Sequence, residues 1–147
     1  MASKSKQIQS EVEAHIDSVL PDGVKVLSRL RGNISNDVSA AIARLGICAI
    51  VFPPSISGIK PNVASGVLAD NMSIQIRIIE NPTLNRSGRD AYEILENIIG
   101  AFVFKTSDGT AIYLREAESA DPDSQKIVEF VVMLSFKYTF PKISQER

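Results

Sequence analysis

The sequence is poor in the residues from which catalytic and metal sites are usually built. Its 147 residues include one cysteine, Cys48, and one histidine, His15. One copy of each cannot form an internal disulfide or a metal site of histidine and cysteine ligands. No nucleophile elbow, dinucleotide-binding glycine motif or phosphate-binding loop occurs in the chain. We therefore predict a protein that is not an enzyme, with no catalytic residue, no metal and no cofactor.

Aromatic content and net charge are both too small to favour nucleic acid as a partner. There is no tryptophan, only six phenylalanines and three tyrosines, and the formal net charge is −1. An aromatic platform for stacked bases and an overall attraction for a polyanion are therefore both lacking. Basic residues gather at Lys25, Arg29 and Arg31, and again at Arg86 and Arg89. We interpret them as solvated ends of elements or, alternatively, as salt-bridge donors for an acidic patch on a neighbouring subunit, such as residues 116–123.

Long apolar runs are also missing, which excludes a membrane-spanning helix. No segment approaches the roughly 20 apolar residues that cross a bilayer. The basic N-terminus is not followed by an apolar stretch, so we expect no signal peptide. Cys48 lies in the apolar run 46–51 and is predicted to be a small buried hydrophobic residue. These features predict a protein of a cytoplasm-like compartment with no membrane partner.

What the chain does have is the composition of one folded domain, 44% apolar and 22% charged. We predict a single domain over residues 1–147, with flexible ends at 1–6 and 141–147. Helical periodicity predicts helices over 7–20, after residues 33–35, and over 90–102. The second helix is expected to end at Gly46, and the third to begin with a capping box at Ser87 and Asp90.

Alternation predicts strands at 24–30, 47–52, 72–80, 111–115 and 127–140, with an acidic solvated loop at 116–125. The last strand carries apolar residues on one face throughout, and Val131 and Met133 add apolar groups to the other face. A strand of this kind is either sandwiched inside the domain or meets another subunit. The pattern predicts an α+β fold with a mixed, mainly antiparallel β-sheet of about four to five strands. Two to three helices are expected on one face, with a partner on part of the other.

Residues 53–71 form the least regular segment, with three prolines and two glycines. A connection of this length is unusual in a compact domain, so we predict a long Pro/Gly-rich loop that is functional or ordered by a partner. A long disordered hairpin tip is the alternative. Apolar and basic residues in the segment make it a candidate interface, namely Ile56, Ile59, Lys60, Val67 and Leu68.

One stretch is more specific than its composition. The run from Ile76 to Arg86, followed by the helix that begins Ala91-Tyr92-Glu93-Ile94, resembles small tail proteins of bacteriophages, in which a strand ending in ENP..NR runs into an A.EI.E.I helix. The element order over about residues 40–140 is similar to the tail-terminator and tail-completion group. Many members have a glycine–threonine pair before the helix, whereas this chain has Ser87-Gly88-Arg89, which leaves the finer subgroup open. A plain strand-to-helix connector explains the motif as well.

The resemblance implies a tail terminator, a virion protein that caps the tail tube and joins it to the head-proximal connector as a ring. Its partners would be itself as a homohexamer, a tail tube protein and a neck or connector protein, with nucleic acid at most passing through the lumen. Such a protein would be assembled in the host cytoplasm and reside at the head-proximal end of the tail. The motif adds Glu80, Asn81, Pro82, Asn85 and Arg86 to the candidate interface residues. Alternatives are another head–tail connector, a minor tail or baseplate subunit, or a small ligand-binding or enzymatic α+β domain.

Overall fold

The computed structural model describes residues 3–21, 23–28, 34–62, 66–120 and 126–140. Within these ranges three helices and seven strands follow one another. Their bounds are α1 Lys4–Val19, β1 Lys25–Ser28, α2 Ile34–Arg44, β2 Ile47–Val51, β3 Ile59–Asn62, β4 Gly66–Glu80, α3 Ala91–Ala101, β5 Val103–Lys105, β6 Ala111–Ser119 and β7 Val128–Phe140. All seven strands belong to one sheet of order β1-β2-β4-β7-β6-β5, in which β3 pairs with β4.

The two longest strands, β4 and β7, form the centre of the sheet. They pair antiparallel over nearly their whole lengths, and Ile74, Ile76 and Ile78 lie opposite Leu134, Val132 and Phe130. Because side chains alternate between the two faces of a strand, every second side chain in the paired parts of both strands enters the core, where these six are at most 4% exposed. β7 and residues 72–80 of β4 were predicted from this alternation, and β7 has the predicted apolar face; residues 66–71 of β4 were predicted to be loop.

The sheet corrects the predicted fold class. We expected four to five strands, but the structure has a seven-stranded mixed sheet that curls into a half-barrel. Only β1 and β2 pair in parallel; every other pairing is antiparallel. The prediction missed β3 and β5, which have four and three residues. Strands this short have too few residues to display a period of two.

The helices lie on both faces of the sheet, which corrects the prediction that they share one face. Along β2, Ile47, Ala49 and Val51 join the core that includes residues of α1 and α3, whereas Cys48 and Ile50 join a second cluster with residues of α2. All five residues of β2 are therefore buried, and their continuous β-branched run reflects burial on both sides. We call the two sides the α1/α3 face and the α2 face.

The predicted loop over 53–71 is largely a β-hairpin, so that prediction is wrong for much of the segment. β3 pairs antiparallel with the first part of β4, from Ile59 opposite Ala69 to Asn62 opposite Gly66. Pro61 lies in β3, which among the described strands pairs only with β4. A proline is tolerated in such an edge strand because its missing N–H breaks no ladder hydrogen bond there. An irregularity in β4 between Ala69 and Met72 shifts its register with β7.

Several element ends also differ from the prediction. α1 begins at Lys4, capped by Ser3, so residues 4–6 of the predicted flexible end are helical; residues 141–147 lie outside the described residues. The N-cap of α3 is Asp90, which accepts a hydrogen bond from the Glu93 N–H, so the cap begins three residues later than expected. The predicted acidic loop begins as strand, because β6 continues to Ser119.

Candidate functional site

A large part of the α2 face has none of the described helices packed on it. α2 packs on β1 and β2, and the second apolar cluster reaches β4 at Ile79. Beyond it, the residues of β4, β7, β6 and β5 that point away from the α1/α3 core form a surface that we call the open face. The strand register shows that the open face consists of Ser73, Gln75, Arg77, Val103, Lys105, Tyr113, Glu116, Glu118, Glu129, Val131, Met133, Ser135 and Lys137.

The centre of the open face is apolar and flanked by charged and amide side chains. Val131 lies between Arg77 of β4 and Glu118 of β6, and Met133 lies between Gln75 and Glu116 in the next rung. Val131 is only 9% exposed and Met133 is half-buried. An apolar strip with a polar border is the arrangement found at the centre of protein–protein interfaces. The structure thus places the two predicted residues of the last strand on a surface that suits a partner.

Arg77 organises the polar border on the β4 side. Its Nε donates a hydrogen bond to Gln75 Oε1 at 3.2 Å, and its guanidinium lies 3.7 Å from the Glu129 carboxylate. The guanidinium also stands 5.6 Å from the ring centre of Phe52, within cation–π range. The Arg77 side chain is 40% exposed, so each contact stabilises the monomer only weakly. The same group remains available to an incoming carboxylate.

Two exposed apolar residues mark the other end of the open face. Val103 of β5 is 98% exposed and lies opposite Tyr113 of β6, which is 64% exposed. Beside them is a shallow depression of about 420 Å³ whose lining includes Asp108, Thr110 and Lys137. The pKa of Asp108 is lowered mainly because its carboxylate accepts hydrogen bonds from Thr106 and Thr110. This carboxylate therefore holds the β5–β6 turn together.

The β3–β4 hairpin carries the candidate residues from the irregular segment at its surface. Ile56 and Ile59 are 55% and 50% exposed, and Val67 is 36% exposed. Lys60 forms an ion pair with Asp70 at 2.7 Å, and this contact raises the pKa of Lys60 and lowers that of Asp70. Leu68, which pairs with Lys60 in register, is half-buried. The hairpin therefore presents apolar groups beside a surface ion pair.

Gly58 allows the hairpin to approach β4 closely. Its φ is +69°, and a Cβ there would collide with the Asp70 carboxylate and come within 3.2 Å of the Asn71 backbone nitrogen. The Gly58 carbonyl accepts a hydrogen bond from the Asp70 N–H, and the Ser57 carbonyl accepts one from Asn71. The glycine is thus needed where the β4 irregularity meets the incoming segment.

The ENP..NR motif forms a tight connector between β4 and α3. Glu80 is 5% exposed, and its carboxylate accepts hydrogen bonds from Asn85 Nδ2 at 2.5 Å and from the Ala91 N–H at 3.1 Å. The Asn81 side chain accepts a hydrogen bond from the Thr83 N–H, and the Arg86 N–H donates to the Leu45 carbonyl. The geometry therefore supports the connector interpretation for Glu80, whose carboxylate is used inside the chain.

The rest of the motif lies at the surface near this connector, with Pro82 exposed and Asn85 half-buried. Gly46 allows the connector to sit against the end of α2, because its φ is +87° and a Cβ there would overlap the backbone of Asn85. The structure does not bring the motif and the hairpin together. They lie at opposite ends of β4, whose 15 residues extend about 45–50 Å.

Cys48 and His15 both have structural roles in the described chain. Cys48 is fully buried, and burial raises the pKa of its thiol to about 12, which suppresses the reactive thiolate. The His15 ring stacks on Phe104, with ring centres 4.3 Å apart, and its Nε2 lies 2.8 Å from the Ala101 carbonyl oxygen. His15 thus joins α1 to the end of α3. Within the described ranges there is no group of three or more possible metal ligands. No described helix is long and apolar enough to cross a membrane.

Sequence reasoning missed Val103 and Tyr113. Tyr113 was placed in a strand, but β5 is too short to be predicted, so neither residue could be assigned to a face. The available signal was an aromatic residue on the polar side of an alternating strand, which is an unfavourable place for it in a monomer unless a partner covers it.

The chain shares its fold with a virion component. No protein-family model matches the chain, and no curated protein matches it. Among solved structures, it is similar to a chain from the virion of the native gene transfer agent (GTA) particle, with a TM-score of 0.57 and 9% sequence identity. The similarity covers 92% of this chain and 98% of that chain. At this identity the likeness shows a common fold that extends over nearly the full length of both chains.

Proposed function

We propose that the protein is a virion structural protein that acts as a tail terminator, a ring of copies between the tail tube and the head-proximal connector. The observation that carries the proposal is the fold shared with a chain of a gene transfer agent virion over nearly its whole length. The ENP..NR strand-to-helix motif, which resembles phage tail proteins, supports the same class independently.

The layout of the surface suits this role. The open face offers an apolar strip with a polar border to a neighbour within a ring. The hairpin and the connector lie at opposite ends of β4, so a subunit could contact one partner at each end. A contact repeated around a closed ring gains strength from avidity even when each single contact is weak. The mechanism is one of binding, in which the ring accepts the tube on one side and the connector on the other.

A second candidate is another connector or minor tail subunit, which would use the same surfaces without stopping tube growth. The fold likeness supports this candidate equally. The two differ in one property, since only a terminator limits the length of the tube.

The experiment is to add the purified protein at increasing ratios to the tube protein of the same virion while tubes polymerise, and to measure tube lengths by negative-stain electron microscopy. A terminator shortens the tubes and leaves a ring at one end. Tubes that bind the protein but keep their length identify the second candidate. Tubes that neither bind nor shorten contradict the proposal.

Two exposed apolar residues provide matched variants for this assay. Ile59 in the hairpin is 50% exposed and Leu84 in the connector is 39% exposed, so a serine at either position should leave the fold intact. We propose that the hairpin end contacts the tube and the connector end contacts the head-proximal partner. We therefore expect Ile59→Ser to weaken tube capping and Leu84→Ser to leave it unchanged. If Leu84→Ser weakens capping and Ile59→Ser does not, the connector end contacts the tube and the hairpin end contacts the head-proximal partner.

A further inference from the structure

β6 extends beyond the strand that covers its outer side. β5 pairs with β6 only over Ala111–Tyr113, whereas β7 pairs with β6 as far as Ser119. The outer side of Leu114–Ser119 therefore meets no strand within the described part of the chain. Leu114 is half-buried and the five residues that follow are exposed. We call this stretch the β6 edge.

Two residues of the β6 edge direct their backbone groups away from β7. The Ala120 N–H donates to the Glu129 carbonyl at 2.9 Å, which fixes the phase of the hydrogen bonds between the two segments. In an antiparallel pair, hydrogen-bonded positions alternate with positions whose N–H and C=O point to the other side. Ala117 and Ser119 are positions of the second kind, so their N–H and C=O groups point outward. Such a row of groups is a template for a further strand.

The side chains on the open-face side of the β6 edge are acidic. Glu116 and Glu118 lie opposite Met133 and Val131 in the register with β7, and both glutamates are exposed. A strand that pairs with the edge would place every second side chain next to these two carboxylates. Opposite charges at such cross-strand positions stabilise the pairing and like charges destabilise it. Lysine or arginine at alternate positions therefore suits the incoming strand.

The other side of the β6 edge has an exposed aromatic residue nearby. Ala117 and Ser119 point to this side, and Ser119 lies opposite the buried Phe130. The Phe130 ring makes an edge-to-face contact with Tyr92 of α3, with ring centres 4.9 Å apart. Tyr92 is nevertheless 59% exposed. The remaining side chains of an added strand would lie on this side, where apolar residues suit the small Ala117 side chain and the exposed ring.

We propose that the β6 edge binds an extended segment of another virion protein in which basic residues alternate with apolar ones, so that the segment becomes a further strand of the sheet. The outward groups of Ala117 and Ser119 bind its backbone. Glu116 and Glu118 bind its basic side chains, and its apolar side chains pack on the side of Tyr92. This inference rests on the proposed function for the origin of the partner, and it adds the surface and the chemistry of the segment.

Charge disfavours a second β6 edge as the occupant. If two copies paired antiparallel about Ala117, Glu116 of each copy would face Glu118 of the other. Like charges directly opposite one another destabilise a pair of strands. The acidic edge therefore selects a basic segment over its own duplicate.

Three synthetic peptides of seven residues test this recognition without any change to the protein. The first alternates lysine with valine, the second alternates glutamate with valine, and the third alternates lysine with serine. Each has blocked ends and a fluorescent label, and fluorescence anisotropy gives its dissociation constant. We expect the lysine–valine peptide to bind about tenfold more tightly than either of the others, because it alone matches both sides of the edge. Equal binding of all three overturns the inference.

A charge reversal on the protein locates the site. Glu116→Lys with Glu118→Lys should reverse the preference, so that the glutamate–valine peptide binds about tenfold more tightly than the lysine–valine peptide. The matched control is Asp17→Lys with Asp37→Lys, which makes the same change in net charge at exposed positions of α1 and α2. The control should keep the original preference. If it reverses as well, the peptides respond only to overall charge and the inference is overturned.

A proline at Ala117 tests the backbone contact. Ala117→Pro removes one outward N–H and leaves the hydrogen bonds to β7 in place, whereas Ala117→Val keeps that N–H and suits a strand. We expect the lysine–valine peptide to bind the proline variant about tenfold more weakly than the valine variant, with circular dichroism as the check on folding. Equal affinities of the two folded variants overturn strand addition.

Amide hydrogen exchange on the unmodified protein asks the same question and does not depend on the folding of the proline variant. The lysine–valine peptide should slow exchange at residues 114–119, because the outward N–H groups there become hydrogen-bonded. Exchange that is unchanged at these residues while the peptide is bound overturns the inference.

The peptide measurements and the tube assay can fail separately. A protein that binds the lysine–valine peptide at the β6 edge but neither binds nor shortens tubes keeps the strand-binding site and loses the proposed function. A protein that caps tubes but binds none of the three peptides keeps the proposed function and loses the inference. If Glu116→Lys with Glu118→Lys abolishes self-assembly in light scattering, the edge binds a second copy and the inference is overturned.

Discussion

The two faces of the central strands differ in what they contribute, although both are made from alternate residues of the same segments. On β7, Phe130, Val132 and Leu134 are at most 4% exposed and belong to the α1/α3 core. Their immediate neighbours, Val131 and Met133, lie on the open face between charged and amide side chains. One face therefore holds the fold together, and the other carries the strip that we propose as an interface. The changes below test that difference, from the largest expected effect to the smallest.

The strongest contrast is between Ile76 and Met133. Ile76 is completely buried on the α1/α3 face, so Ile76→Ala removes packed apolar atoms and leaves a cavity. We expect the free energy of unfolding to fall by about 2–5 kcal/mol. Met133→Ala on the open face should cost less than about 1.5 kcal/mol in the monomer, because part of the side chain already meets solvent. Urea unfolding of both variants is the measurement, and equal losses would contradict the division of the two faces.

The buried carboxylate of Glu80 contrasts with the exposed one of Glu118. Glu80→Gln replaces an acceptor of two hydrogen bonds with an amide that presents only one oxygen. We expect a loss of about 1–3 kcal/mol in thermal or urea unfolding. Glu118→Gln should change stability by less than about 0.5 kcal/mol, since its side chain is exposed. If Glu80→Gln proves as mild as Glu118→Gln, the connector is held by its other contacts.

Cys48 tests the part of the α2 face that a helix does cover. Burial raises the pKa of its thiol from 9.0 to about 12, so the thiol stays protonated in the folded chain while the unfolded chain loses the proton above pH 9. The unfolded state then binds fewer protons, and stability falls as pH rises, by about 1 kcal/mol between pH 8 and pH 10.

The matched control for this pH dependence is Cys48→Ala, in which the fall attributed to the thiol should disappear. Chemical denaturation at pH 8 and pH 10 gives the comparison directly. A fall of the same size in both proteins would show that other groups cause it.

The smallest effect on stability is expected at Val103 and Tyr113. Both side chains are mostly exposed, so Val103→Ser with Tyr113→Ser should change the free energy of unfolding by less than about 0.5 kcal/mol. Assembly should nevertheless weaken, because these residues enlarge the apolar area that a partner covers. Light scattering and urea unfolding on the same sample separate the two effects. A large loss of stability would assign both residues to the fold and not to an interface.

The sequence predicted the elements with a long and regular period. The alternation in β7 and in residues 72–80 of β4 placed their apolar residues correctly, and the period of 3.6 located all three helices. Short strands were missed, and Pro61 made an edge strand look like a loop. The face taken by each helix was also missed, because it depends on which strands pair. The parallel β1–α2–β2 unit fixes the side of α2 only once its strands are known to be neighbours.

The candidate surface was only partly predictable. Val131 and Met133 were predicted because apolar residues on both faces of a strand indicate that the second face is also buried, by another part of the chain or by a partner. Glu80 was assigned to the surface, since an acidic residue is rarely buried unless its oxygens find donors, and those donors come from residues 5 and 11 positions away. The extension of β6 beyond β5 could not be predicted, because it depends on the length of β5, a strand that the sequence did not reveal.

The most direct test of this account is amide hydrogen exchange, followed by mass spectrometry, on the protein below and above the concentration at which it assembles. The account predicts that the peptides of β5, β6 and β7 that form the open face exchange more slowly after assembly, while peptides from α1 and α3 are unchanged. Slower exchange confined to α1 and α3, with β5, β6 and β7 unchanged, would contradict it.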